Sequence, residues 1–354
     1  METPASVSPI VSVIIPIYNV KPYIELGLRY LADQTFREYE IILIDDGSTD
    51  GSGEVCDNAA EANAKIRTLH QVNLGSGGAR NAGLDASRGK YVYFYDIDDR
   101  VSPDLLEYCV GKMEESKLDM MVFGFETVDV SHGGKTDEVT FREHLIGSND
   151  ELRACYIDEL LLVKNGNGFV WNKFYRKSFL DKHHLRFENQ RIQQDEVFNL
   201  KAYPHVERAY ISPETFYTYY IYSKGNTRSR FIPERFNIYV SIREHFESLK
   251  AYWQLDDPRL DDYLQKRFWN SLVGGVIPNL FHPNCPWTAK EQQEELEWIT
   301  VHPLTQSCLQ YMRHSLGFEG RLYHWTLSHA NIRLLKTVYN CLSFLHKAKH
   351  KLIK

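Results

Sequence analysis

Residues 11–17, VSVIIPI, and 40–44, EIILI, are short unbroken apolar runs rich in β-branched side chains. Such runs predict strands buried on both faces, as in a parallel sheet. Between them Tyr23, Leu26, Leu28, Tyr30 and Leu31 stand at spacings that fit one packed helix face, and Pro22 suits a first helical turn. Strand, helix, strand predicts a parallel pair joined by a crossover.

The alternation continues with helices at about 52–63, 77–87 and 103–115 and strands at IRTLHQ (66–71), KYVYFYD (90–96) and LDMMVFGFETVDV (118–130). This predicts a doubly wound α/β domain, in which ligands sit beyond the C-terminal strand ends. From about residue 150 the pattern loosens into helices and loops, with TFYTYYIYSKGNTRSR as a strand and loop. Beyond about 232 it reads as helical: PERFNIYVSIREHFESLKAYWQ and PRLDDYLQKRFWNSLVGGVI carry apolar residues at three- and four-residue steps.

Composition narrows the class. With 354 residues, 43% hydrophobic and 25% charged, the chain is an ordinary globular protein larger than one compact core. A net charge of −6 opposes generic nucleic-acid binding, which needs a basic footprint. The charge is uneven, because no acidic residue follows Glu319 whereas Arg321, Arg333, Lys336, Lys347, Lys349, Lys351 and Lys354 do. Six scattered cysteines without CxxC or zinc spacing predict a reducing, cytoplasmic setting. METPASVSPI has neither a basic nor an apolar leader region, and no apolar run is long enough for a bilayer, so a chain neither secreted nor membrane-spanning is expected.

The candidate chemistry lies at strand ends. GKYVYFYDIDDR, residues 89–100, finishes in Asp96, Asp98 and Asp99. Crowded carboxylates repel unless a cation or hydrogen-bond donors compensate, and their oxygens suit Mg²⁺ or Mn²⁺. A solvated loop leading into a helix is the other reading. IDDGSTDGS, residues 44–52, imitates a calcium loop in spacing, but it follows a buried strand where an EF-hand follows a helix. A carboxylate there can accept from a base or ribose, and a plain strand-to-helix turn stays open. NLGSGGARNAG, residues 73–83, offers either a Gly-rich turn or a phosphate contact and lacks the Gly-Lys-Ser/Thr ending of a P-loop. Asp195 in QQDEVF is a general base or a helix cap, and Trp171 and Tyr175 are stacking platforms or core.

In order and spacing, SVIIPIYN, IDDGSTDGS, GGARNAG, GKYVYFYDIDD and QQDEVF resemble a family 2 glycosyltransferase with the GT-A nucleotide-sugar-binding fold. The resemblance is close over residues 10–125 (a nucleotide-binding half), looser over 126–230 (an acceptor-binding half), and silent over the helical region 231–354. It implies inverting transfer of a hexosyl or N-acetylhexosaminyl group from a nucleotide-diphosphate donor, a UDP-sugar, to a glycan or lipid-linked glycan in surface polysaccharide synthesis, assisted by Mn²⁺ or Mg²⁺. By position, Pro16, Tyr18 and Asn19 would line the nucleotide pocket, Asp46 would meet the base, and Arg80 the nucleotide or diphosphate. Asp98 would bind metal, supported by Asp96 or Asp99 contacting the ribose. Asp195 would be the catalytic base, and Gln194 stands where the family commonly has Glu. Trp171, Asn172 and Lys173 of FVWNKFYR would contact acceptor or product.

Two other classes fit the α/β core: a sugar-phosphate nucleotidyltransferase, whose Gly-rich, Arg-containing loop after the first strand is missing from IPIYNVKPYI, and a non-catalytic sugar-binding scaffold. The tail NIRLLKTVYNCLSFLHKAKHKLIK sets Leu334, Leu335, Val338, Leu342 and Leu345 in a stripe among Lys and His, which reads either as an interfacial helix at the inner face of the plasma membrane or as a helix packed on the protein.

Overall fold

The structure is a computed structural model that describes residues 8–130, 133–163, 166, 168–222 and 230–352. The chain divides into two compact units, Met1–Gly225 and Asn226–Lys354.

The first unit is built on one mixed sheet. Its strands are β1 (Val11–Ile17), β2 (Tyr39–Asp45), β3 (Ile66–His70), β4 (Tyr91–Phe94), β5 (Arg100–Val101), β6 (Met120–Asp129), β7 (Lys135–Val139), β8 (His144–Ile146), β9 (Lys173–Arg176) and β10 (Ala209–Ile221). Its α-helices are α1 (Lys21–Ala32), α2 (Ser52–Ala62), α3 (Gly75–Ala86), α4 (Leu105–Ser116), α5 (Asn149–Tyr156), α6 (Lys177–Lys182) and α7 (Gln194–Ala202). The sheet order is β3-β2-β1-β4-β9-β6-β10-β5, with β7 added beside β6 and β8 beside β10.

The apolar runs form the predicted buried strands: every residue of β2 is buried, as is every residue of β1 except Pro16. β1 pairs parallel with β2 and with β4. Parallel pairing sets C-terminal ends side by side, so the segments after Ile17, Asp45 and Phe94 leave the sheet along one edge. Helix α3 lies close on this layer. A Cβ on Gly83 would come within 2.3 Å of the Ile14 side chain, so the close approach of helix to strand requires glycine there.

One feature departs from the expected alternation. FVWNKFYR is not a loop feature: Lys173–Arg176 form β9, inserted antiparallel between β4 and β6 near the middle of the sheet. Beyond it, His144 on β8 is clamped between Glu159 (2.7 Å) and Glu151 (3.1 Å), tying the sheet to α5 and to the π-helical turn Ile157–Leu161 that follows it.

The second unit is helical, as the three- and four-residue spacing predicts. It contains α8 (Arg235–Trp253), α9 (Pro258–Ser271), α10 (Ile277–Leu280), α11 (Ala289–Val301), α12 (Pro303–Met312), α13 (Phe318–Ser328) and α14 (Ile332–Leu352). Phe268, Leu272, Leu296, Ile299, Leu327, Leu335 and Leu342 belong to one buried cluster that holds these helices together. Thr288 and Glu291 form a reciprocal capping box that fixes the start of α11. No helix among the described residues is long and apolar enough to cross a membrane.

Candidate active site

The shared strand edge gathers most of the residues singled out from sequence. Pro16 is half-buried in β1, and Tyr18 and Asn19 follow it into exposed positions. Asn19 has a left-handed backbone (φ 54°), and its side-chain oxygen accepts from Thr49 N at 2.8 Å. Its own amide donates to Ser48 Oγ at 3.1 Å. The loops after β1 and β2 are thus locked together.

The calcium-loop imitation dissolves in the same geometry. Asp50 accepts from Ser52 N (2.9 Å) and Lys21 N (3.2 Å), and Asp45 accepts from Ser48 N (3.0 Å). Oxygens that might have ringed a cation are spent on backbone amides. Asp46 is likewise engaged. Its carboxylate accepts from Gln71 Nε2 (2.7 Å), Leu74 N (2.8 Å) and Gly75 N (2.8 Å), so it pins the Gly-rich turn at the start of α3. It is almost wholly buried.

That pin places Arg80, on α3, between two acids. Its Nη2 donates to Asp96 Oδ1 at 2.8 Å and its Nη1 to Asp195 Oδ1 at 2.7 Å. The guanidinium is only 4% exposed and lies 5.5 Å over the Phe187 ring. Burial would lower its pKa, but the charges of Asp195 and Asp96 outweigh this and hold it above the usual arginine value. One buried cation therefore joins the acid after β4 to the acid in the first turn of α7, and the second of these stands 115 residues from Arg80 in sequence. Among the described residues Arg80 Nε has no hydrogen-bond partner.

The three carboxylates of DIDD are sorted by the fold. Asp99 turns inward and accepts from Tyr217 Oη (2.6 Å) and Tyr220 N (2.9 Å), and its carbonyl accepts from Tyr95 Oη (2.7 Å). The Asp99 carboxylate, one of the two expected to support Asp98, is sealed in the core as a brace. Asp96 faces Arg80 and stays partly open. Asp98 is half-buried, and among the described residues no other side chain or backbone amide donates to its carboxylate. Burial first, and the charge of Asp96 second, push its carboxyl up to about 6. The uncompensated Asp98 carboxylate, with Asp96 beside it, offers hard oxygen donors that fit a Mg²⁺ or Mn²⁺ ion completing its shell with other oxygens.

Trp171, Asn172 and Lys173, expected on the acceptor side, are all three buried. Trp171 stacks on Tyr217 with ring centroids 4.2 Å apart and meets Phe125 edge-on at 4.9 Å. Asn172 Nδ2 donates to Phe123 O at 3.2 Å. Lys173 Nζ donates to the carbonyls of Phe169 (2.6 Å) and Gly166 (3.2 Å) and to Asn172 Oδ1 (3.0 Å). Burial lowers its pKa to about 7, partly offset by Asp195 and Glu196. Phe169 O also accepts from Asn199 Nδ2 (2.9 Å), while Tyr175 Oη donates to Asn199 Oδ1 (2.7 Å). Asn199 lies one turn beyond Asp195 on α7, so the motif acts as a scaffold under the helix that carries Asp195.

Two further residues position the site: Asn81 escapes the sequence reading, and Gln194 figures in it only as standing where the family commonly has Glu. Asn81 exchanges paired hydrogen bonds with the backbone of Phe187, both 2.9 Å, and so fixes the segment leading to α7 against α3. Gln194 Nε2 donates to Ser76 Oγ, tying the two helix starts directly. Asn81 sits beside Arg80 in GGARNAG, but only its partner across 106 residues gives it a role. A Cβ on Gly77 would press on Glu188 O at 3.1 Å, which explains the glycine at this crossing.

Known proteins resemble this chain in sequence and in fold. Residues 12–183 match the model of glycosyl transferase family 2. EpsJ, an uncharacterised glycosyltransferase of Bacillus subtilis, is 35% identical over 215 residues, or 60% of this chain and 61% of EpsJ. TuaG of the same organism, named as a teichuronic acid biosynthesis glycosyltransferase, is 38% identical over 156 residues, or 44% of this chain and 62% of TuaG. The matched segment thus spans less than two thirds of either relative. By structure, Staphylococcus aureus TarS 1–349, crystallised with UDP-GlcNAc, superposes with a TM-score of 0.64 at 19% identity, covering 94% of this chain and 91% of that one. At that identity the likeness shows a common GT-A fold. Motif order, family match and fold agree that this chain carries a family 2 glycosyltransferase domain.

Proposed function

We propose that the protein is an inverting glycosyltransferase that moves a hexosyl or N-acetylhexosaminyl group from a UDP-sugar to a hydroxyl of a glycan or lipid-linked glycan. The observation that carries this reading is the Asp96–Arg80–Asp195 bridge, which sets a donor-side acid and a candidate base on either side of one buried cation. The UDP-GlcNAc held by TarS supports the donor class, and the name of TuaG supports a surface polysaccharide as product.

Tyr18 and Asn19 present the exposed rim on which a nucleotide would rest, with Pro16 behind them and Asp46 fixing the Gly-rich turn beneath. Asp98, with Asp96 beside it, would hold Mn²⁺ or Mg²⁺, which when bound supplies positive charge to a departing diphosphate. Asp195 takes the proton from the acceptor hydroxyl, and Arg80 holds that carboxylate in place. The helix start adds a favourable field for the same carboxylate. In-line displacement with inversion needs a base and a leaving group on opposite faces of the sugar, which one acid on each side of Arg80 can serve. Trp171, Asn172 and Lys173 serve the acceptor side from within, as part of the buried scaffold under α7.

The test is to incubate the full chain with a panel of nucleotide sugars and Mn²⁺ and measure release of nucleoside diphosphate. Metal-dependent release with one donor is expected. Silence with every donor, with and without glycan acceptors, would favour a sugar-binding scaffold instead.

A further inference from the structure

We propose that the outer face of the α13–α14 pair is a docking surface for an anionic lipid bilayer. Helix α14 has three faces by its 3.6-residue period. Ile332, Leu335 and Leu342 are buried in the core of the second unit. Next to that face Cys341, Phe344 and Leu345 point outward, Phe344 being 72% and Leu345 56% exposed. The flank beyond is basic. Arg333 and Lys336 are exposed there.

Helix α13 adds to the same surface. Phe318 is 70% exposed, and Arg321 and Trp325 are exposed at the following three- and four-residue steps. His346 Nε2 meets Glu319 Oε1 at 3.0 Å, which brings the start of α13 beside the later turns of α14. Phe318 therefore shares one end of the pair with Phe344 and Leu345. Large apolar side chains standing in water beside a basic row are what an interfacial helix presents to acyl chains and headgroups.

Charge selects the occupant. The last 35 residues carry seven Lys and Arg and no Asp or Glu, in a chain whose net charge is −6. Positive charge segregated against the sign of the whole molecule is complementary to an acidic lipid surface. No described helix can span a bilayer, so the contact is one of lying on it. Nothing in this inference depends on the sugar chemistry of the first unit, and its test uses no substrate.

The experiment is co-sedimentation of the full chain with vesicles of phosphatidylcholine alone or with about one-third phosphatidylglycerol, at low and high salt. Binding to the anionic vesicles alone, weakened by salt, is expected. The double variants Phe344→Ser with Leu345→Ser, and Arg333→Glu with Lys336→Glu, should each weaken it about tenfold or more while the melting temperature stays unchanged. These sites are exposed, so the variants should fold. Equal sedimentation with both vesicle types, or variants that bind as the parent does, would overturn the proposal. A dimer without vesicles that the Phe344 and Leu345 changes dissociate would also overturn it and assign the face to a second copy of the chain.

Discussion

At the scale of single residues, the carboxylates divide by what the fold offers each of them. Asp99 and Asp46 spend their oxygens on protein donors, whereas Asp98 is left half-buried beside Asp96. Its folded-state pKa of about 6 lies above the usual carboxylate value, so the metal-free fold holds that proton more tightly than the unfolded chain does. Its contribution to stability therefore falls as pH rises through about 4 to 6, and a bound cation reverses the loss. Mn²⁺ should raise the melting temperature more at about pH 7.5 than at about pH 5.5, and Asp98→Asn should abolish most of the rise at both. Equal increments at the two pH values would remove Asp98 from the metal site. For Asp195→Asn the expected result is donor binding within a few-fold of the parent and transfer slower by about a hundredfold or more. Unchanged turnover would remove Asp195 as the base.

At the scale of elements, β9 and α7 act as a pair. β9 runs through the middle of the sheet, and Lys173 and Tyr175 on it hold, through Phe169 O and Asn199, the helix whose first turn bears Asp195. The buried ammonium gives this link a signature. A lysine pKa lowered to about 7 means that the unfolded chain binds the proton more tightly, so stability from this group rises as pH goes from about 7 to about 10. Lys173→Met should flatten that slope in urea denaturation series. A slope that persists would show that another group titrates there. Arg80 is the corresponding link on α3, where Asp46 fixes the turn and Asn81 fixes the neighbouring segment.

At the scale of the whole molecule, the two units divide the work. Every residue proposed for donor binding or catalysis lies within Met1–Gly225, whereas the basic, aromatic surface lies within Asn226–Lys354. Hydrogen exchange on the full chain, with and without UDP and Mn²⁺, should show added protection at Tyr18–Asn19, Gly75–Arg80 and Asp96–Asp98, and none in helices α8–α14. Comparable protection in those helices would contradict this division.

Sequence alone determined the parts whose signal is local. Unbroken apolar runs can satisfy their backbones only as buried strands, and three- and four-residue apolar steps can bury one face only as helices, so the α/β core and the helical second unit were legible. Strand ends followed from these, and with them the positions of Tyr18, Asp46, Asp96 and Asp98. The tertiary structure decided what depends on partners far along the chain. It turned Asp99 inward onto Tyr217, made the KFYR of FVWNKFYR a central strand, and brought Asp195 to Arg80 across 115 residues. A side chain's type limits what it can bind, but burial and neighbouring charge decide what it does, and both are set only when distant segments close around it.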